Sequence, residues 1–245
     1  MEIFSSTGKN ITKSGVLLQT KSIGSLIVSM SLDLEALTTE QIKVEVEKIG
    51  GNEEITKGFM SLADFIYMTT FKEDAVTSDV NYKTTAKCEI CEDGSIQLGE
   101  KDVIKIELTG LKTAESYVLN GIEEPQSSRK TLSFQNKSMA SDDKSKVFEV
   151  ADCDIVVIDN SETIEEISYT YVNGVVVKYT LHELRVLSRS IDPVAYIKQD
   201  GTIKSSFASK IQLPLFGVNT IEVRKSQGSI INLIVRYEAN DSNEF

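Results

Sequence analysis

The residues of this chain best suited to chemistry are three cysteines and one histidine. Cys88 and Cys91 form a C-x-x-C pair, and Cys153 stands far along the sequence. A structural zinc site draws on four ligands, as two such pairs or one pair with two histidines. The chain offers neither set. If Lys87–Ile90 is a strand, Cys88 and Cys91 point to opposite faces of it, because side chains alternate. The expectation is ordinary buried or half-buried thiols. An odd count also speaks against a disulfide-stapled secreted scaffold.

His182 lies in Thr180-Leu181-His182-Glu183-Leu184, with no second histidine to complete H-E-x-x-H. Ser–His–Asp chemistry would have to run through it, yet no G-x-S-x-G elbow presents a nucleophile. It reads as an exposed or rim residue on a short helix. Neither G-x-x-x-x-G-K-[ST] nor a G-x-G-x-x-G after a strand is present to cradle a nucleotide phosphate. Carboxylates are abundant, which leaves a glycosidase-like pair open. The absence of tryptophan and an aromatic content of 7% weaken a sugar-stacking site. No catalytic, cofactor-binding or metal residue is assigned, and the chain reads as a non-enzyme.

At 245 residues and 27.1 kDa, the chain has room for one large domain or two small ones. Its 40% hydrophobic and 26% charged residues are globular values, and no apolar run approaches the ~18–20 residues of a membrane-spanning helix. Met1-Glu2-Ile3-Phe4 carries neither a basic nor an apolar signal region, so synthesis in a cytoplasm is expected. A net charge of −11, its excess concentrated in residues 1–125, disfavours direct binding to nucleic acid or to anionic headgroups.

What must position any functional surface is strand. Lys43-Val44-Glu45-Val46-Glu47, Ile104-Lys105-Ile106-Glu107-Leu108 and Ile221-Glu222-Val223 alternate apolar with charged residues, the period of a half-buried strand. Ser168–Val172 runs through Asn173-Gly174 into Val175–Val177, which predicts a hairpin with a type I′ turn. Asp93-Gly94 and Asp200-Gly201 are further predicted turns. Ile231, Leu233, Val235 and Tyr237 share one face of a last long strand. Helix is confined to Ser61–Met68 and Thr180–Leu187, each opening on S/T-x-x-[DE].

Those two helices reveal an internal repeat. Ser61–Phe65 aligns with Thr180–Leu184, Glu40-Gln41-Ile42 with Glu165-Glu166-Ile167, and Leu18–Ile23 with Phe134–Met139. A single offset then relates Ile96-Gln97-Leu98 to Ile211-Gln212-Leu213, Ile106-Glu107-Leu108 to Ile221-Glu222-Val223, and Ile122-Glu123 to Tyr237-Glu238. Pairing Asp93-Gly94 with Asp200-Gly201 needs another offset, so the register stays open around 85–95 and 200–210. Each half, 12–124 and 130–240, has room for eight strands of ~5–6 residues and one short helix. The fold class is therefore mostly β: two tandem eight-stranded jelly rolls. Glu124–Lys130 reads as a polar linker, and Met139–Lys146 as an exposed loop extra to the second half.

Tandem rolls without a catalytic set resemble the double jelly-roll major capsid proteins of icosahedral, membrane-containing bacteriophages, the corticovirus type above all. The residues that carry the likeness are Leu37–Val46, the passage into Met60–Ile66, and Ile221–Glu238. The resemblance implies pseudo-hexagonal homotrimeric capsomers tiling an icosahedral shell, with short helices and loops at subunit contacts or on capsomer faces. It implies a chain made in the host bacterial cytoplasm and located in the virion capsid. Its partners would be itself, neighbouring capsomers, and minor capsid or membrane proteins, with an internal membrane nearby that it does not bind directly. The family's metal sites find no matching ligand motif here; structural divalent cations, at unlocated positions, are one way to join such a shell to the membrane. A non-catalytic receptor- or carbohydrate-binding β-sandwich, such as a phage spike or fibre component, is the alternative.

Overall fold

The computed structural model describes residues 1–69, 76–78, 80–92, 94–125, 127–128, 130–191, 195–197, 203–205 and 210–240. In chain order the first strands are β1 (Glu2–Ser5), β2 (Lys13–Gln19), β3 (Ser25–Met30), β4 (Gln41–Lys48), β5 (Gly51–Glu54) and β6 (Met60–Ser61). Helix α1 (Leu62–Thr69) follows, then β7 (Thr84–Glu89), β8 (Ser95–Ile96), β9 (Val103–Thr109), β10 (Tyr117–Ile122) and β11 (Ser127–Ser128). The later elements are β12 (Lys130–Met139), β13 (Ser145–Glu149), β14 (Cys153–Asp159), β15 (Ile164–Tyr171), β16 (Val176–Thr180) and α2 (Leu181–Ile191). They end with β17 (Ala195–Ile197), β18 (Ile203–Ser205), β19 (Lys210–Pro214), β20 (Val218–Lys225) and β21 (Ile231–Asn240).

The described residues form two compact units. One holds 1–134 with 195–197, 203–205 and 239–240; the other holds 135–191 and 210–238. The first builds a sheet in the order β1-β10-β3-β7 and a second in the order β2-β9-β4-β5, with β6 added beside β4. The later sheets run β12-β21-β14-β19 and β13-β20-β15-β16. Position by position the two orders are the same, and each roll places its helix after the same strand, β5 or β16. The chain is thus mostly β, two tandem jelly rolls with one short α-helix each, as the sequence predicts.

Alternation explains the cores. Along β4, Ile42, Val44 and Val46 are buried while Lys43 and Glu45 are half-exposed; along β9, Ile104, Ile106 and Leu108 are buried. In the second roll, Val156, Ile158, Ile167, Ile221, Val223, Leu233 and Val235 share one core, with Tyr237 packed against it. Each such side chain contributes roughly 1.5–3 kcal/mol when fully buried. The helices cap these cores. Leu62, Phe65, Ile66 and Thr69 of α1 and Leu181, Leu184 and Ser188 of α2 turn inward at helical spacing. Ser188 Oγ accepts the buried backbone N–H of Gln212 at 2.9 Å, which satisfies a donor that β19 would otherwise leave unpaired.

The register tests the repeat. Ile42 pairs with Leu108 and Val44 with Ile106; Ile167 pairs with Val223 and Tyr169 with Ile221. The aligned residues therefore occupy the same places. Ile122 and Tyr237 also agree, each facing the first residue of its neighbour, Ser25 or Cys153. Two matches fail. Leu18–Ile23 ends β2, whereas Phe134–Met139 lies in β12, whose counterpart is β1. Ile96 lies in β8, whereas Ile211–Leu213 lies in β19, whose counterpart is β7.

Three further expectations change in detail. Gly174 N–H bonds to Tyr171 O at 2.8 Å and Tyr171 N–H to Val175 O at 2.9 Å. Gly174 takes φ +80° while Asn173 does not adopt positive φ. The hairpin is a three-residue loop ending in a glycine bulge, not a type I′ turn. The expected linker contains β11, paired in parallel with β8. Of the expected loop Met139–Lys146, Ser141 and Asp142 are exposed, but Met139 ends β12 inside the core and β13 begins at Ser145. Asp93, Asp200 and Gly201 lie outside the described residues.

Candidate assembly surface

The thiols are structural. Cys88, on β7, is fully buried, and burial pushes its thiol up to about 12, partly offset by a hydrogen bond with Thr69. Cys91 lies beyond the end of β7, so strand alternation does not govern it; it is also buried, and its Sγ donates to Gly94 O at 2.9 Å. Cys153 opens β14, its thiol pushed up to about 11 by burial against a smaller opposing hydrogen bond with Tyr237. His182 is exposed in the first turn of α2. Beside it, Glu183 accepts the Thr180 N–H at 2.8 Å while its own N–H donates to Thr180 Oγ1 at 3.4 Å. This is the reciprocal box read from the sequence. At α1 only the shorter reach is seen, Asp64 N–H to Ser61 Oγ at 3.4 Å. Among the described residues no three His, Cys, Asp or Glu side chains converge to hold a metal ion.

The most deeply buried carboxylate is Glu40, whose side chain is 0% exposed. It accepts hydrogen bonds from the Tyr117 hydroxyl at 2.7 Å and from the N–H groups of Thr38 and Thr39 at 2.9 and 3.0 Å. Lys112 Nζ lies 3.3 Å away. Burial pushes its pKa up, but these bonds outweigh burial and hold it below the ordinary value. Every partner belongs to the first roll, so Glu40 acts as a brace.

The outward faces of β2-β9-β4-β5 and β13-β20-β15-β16 carry the surface chemistry. On the first, Lys43 pairs with Glu45 at 2.7 Å and Lys105 with Glu47 at 2.6 Å. On the second, Glu166 pairs with Lys178 at 3.1 Å and Arg224 at 3.6 Å. Exposed ion pairs of this kind contribute little stability. Between them stand apolar side chains that a solitary sandwich would be expected to replace with polar ones. Val16 on β2 is 54% exposed opposite Glu107, and Val147 on β13 is 56% exposed opposite Glu222. Because Glu107 and Glu222 are equivalent in the repeat, so are the two valines. The hairpin tips agree: Ile49 is 82% exposed after β4, and Val172 is 77% exposed after β15. Val172 N–H donates to Gly217 O at 3.0 Å, next to the exposed Phe216 ring. None of these apolar positions was singled out from the sequence, since an exposed valine in a strand reads like a core one.

No protein-family model and no curated protein matches the chain. Among solved structures, the major capsid protein P2 of bacteriophage PM2 is similar over 94% of this chain and 93% of its own, with a TM-score of 0.54 at 9% identity. The mavirus major capsid protein matches over 94% and 84%, at 8% identity and a TM-score of 0.34. The PBSX exported protein XepA matches over 96% and 85%, at 9% identity and a TM-score of 0.26. The likeness to the PM2 protein is one of fold: two rolls in tandem in one chain.

Proposed function

We propose that this chain is a coat protein, a non-enzyme that builds an icosahedral virion shell from pseudo-hexagonal homotrimeric capsomers. The two rolls, 12–124 and 130–240, act as equivalent building units, so that three chains present six similar sandwiches. The observation that carries this reading is the recurrence of exposed apolar residues at equivalent places, Val16 with Val147 and Ile49 with Val172. A ring of six similar units needs the same contact repeated on each, and closed threefold symmetry joins unlike flanks of neighbouring chains. Permanent interfaces of this class bury ~2,000 Å² or more around an apolar centre. The fold similarity to the PM2 capsid protein supports the same reading.

The chain would be made in a bacterial host's cytoplasm and reside in the capsid, above an internal membrane it does not bind directly. A net charge of −11 repels anionic headgroups, so basic minor proteins or divalent cations would join shell to membrane. The alternative reading, a carbohydrate- or receptor-binding sandwich, calls for a cluster of exposed aromatic rings. Among the described residues the exposed rings are Phe59 and Phe216, one on each roll. Light scattering tests the capsomer directly. A stable species near three times 27.1 kDa is expected, and its dissociation by Val16→Asp and Val147→Asp. A monomer at high concentration refutes the assembly.

A further inference from the structure

The two rolls differ at one sheet edge. In the first, the outer edge of β5 and the residues after it is occupied by an extended segment at the start of β12. Phe134 N–H donates to Ile55 O at 2.7 Å, Lys57 N–H donates to Phe134 O at 3.0 Å, and Ser133 Oγ donates to Glu54 O at 2.8 Å. Thr56 and Phe134 form a parallel bridge, and the Phe134 ring meets Phe65 of α1 edge-on at 5.7 Å. Charge fits as well: Thr131 bonds to Glu53, and Lys130 pairs with Glu92.

The equivalent edge in the second roll is β16, the last strand of β13-β20-β15-β16, and among the described residues no strand pairs with its outer side. The bond from Tyr171 N–H to Val175 O, with Tyr169 opposite Val177 and Ile167 opposite Tyr179, turns the odd-numbered residues toward β15. The N–H and C=O groups of Val176 and Lys178 therefore point away from the sheet. Val175 and Val176 are each about half exposed, Val177 and Tyr179 are only half-buried, and Val186 on α2 is 52% exposed. The Tyr169 hydroxyl behind them is buried with no hydrogen-bond partner. A bare, β-prone edge of this kind templates another strand.

We propose that the β16 edge is a strand-addition site. Its occupant is an extended polypeptide segment with apolar residues at alternate positions and an acidic residue where it passes Lys178. The internal counterpart supplies the geometry, since Thr131–Phe134 lies on the matching edge with Leu132 and Phe134 buried. Lys178 supplies the sign of the charge, because β16 carries no other charged residue, whereas the filled edge is acidic and takes a segment with Lys130. Self-pairing of two β16 edges brings two Lys178 ammoniums together and is disfavoured. The site goes beyond the coat-protein reading and does not depend on it.

The probe is a short synthetic peptide carrying Thr-Leu-Ser-Phe flanked by glutamates, with a lysine-flanked version as control. The glutamate peptide should slow hydrogen exchange at the Val176 and Lys178 amides, while leaving β5 unchanged. Val176→Pro removes an N–H that points away from β15, so the variant should fold and lose the peptide. Lys178→Glu should reverse the preference between the two peptides. Protection elsewhere, equal binding by Val176→Pro, or no charge reversal each overturns the proposal. Trimer formation by the same variants is read separately by light scattering, so the two readings fail independently.

Discussion

Tyr117 donates its phenolic hydrogen to Glu40 at 2.7 Å, tying the residue that leads into β4 to the first residue of β10. Burial pushes the Tyr117 hydroxyl's own pKa up, reinforced by that bond, so it remains a donor at any working pH. The folded pKa of Glu40 lies below its unfolded value near 4.5. Its contribution to stability is therefore present above about pH 4.5 and is lost as pH falls through the depressed folded pKa. Tyr117→Phe should cost about 1.5–3 kcal/mol at neutral pH, the range for a hydrogen bond to a charged group. Urea denaturation at neutral and acid pH checks this; an equal loss at both would break the link to Glu40's charge.

A methyl group is predicted to be intolerable at Gly110. The residue sits at φ +70°, and a Cβ there would lie 2.0 Å from the backbone carbonyl oxygen of Thr39. Thr39 Oγ1 also donates to Gly110 O at 2.8 Å, so the two backbones are held together. Gly110→Ala should lower the first roll's stability by more than the ~1 kcal/mol usual for left-handed backbone alone. Thermal unfolding followed by circular dichroism reads the loss, with exposed Gly8→Ala as the reference for the φ term, since its Cβ would meet nothing.

At α2, Thr180→Ala removes the oxygen that receives Glu183 N–H and leaves the first turn without its side-chain cap. The expected cost is about 1 kcal/mol. Thr180→Ser retains an oxygen and should recover most of it. Equal loss in both variants would show that the methyl group, not the cap, matters.

Thiol chemistry gives an independent readout of burial. With Cys88 pushed up to about 12 and Cys153 to about 11, neither forms appreciable thiolate at mildly alkaline pH. A disulfide reagent should modify none of Cys88, Cys91 and Cys153 in the native protein and all three in denaturant. Rapid native labelling at any of them would contradict the packing of that roll.

The inner faces of the strands were legible because burial forces a period of two on them. Ile42, Val44, Ile106 and Leu108 could be matched to Ile167, Tyr169, Ile221 and Val223 from letters alone, and the register agrees. Polar letters misled. Gln19-Thr20-Lys21-Ser22 and Gln135-Asn136-Lys137-Ser138 look alike but lie on strands that are not counterparts, since surface residues carry no packing constraint that keeps them in register. Glu40 and Glu165 align, yet one is buried in a hydrogen-bonded brace and the other is exposed. The covering of the β5 edge by Ser133 and Phe134 was invisible, because it joins residues distant in sequence and leaves no local periodicity. For the same reason the bare edge at β16 could only be seen in three dimensions.

In each roll the opening strand is hydrogen-bonded to the closing one: β1 lies beside β10, and β12 beside β21. Glu2 faces Asn120, and the α-amino group of Met1 reaches Gly121 O at 2.9 Å. Neither sandwich can be completed during synthesis until its own final strand has left the ribosome. Long-range pairing of this kind makes folding slow and leaves strand edges exposed while the chain waits. A nascent first half ending before Tyr117 should thus be a ready client for chaperones, whereas release just after Ile122 frees it.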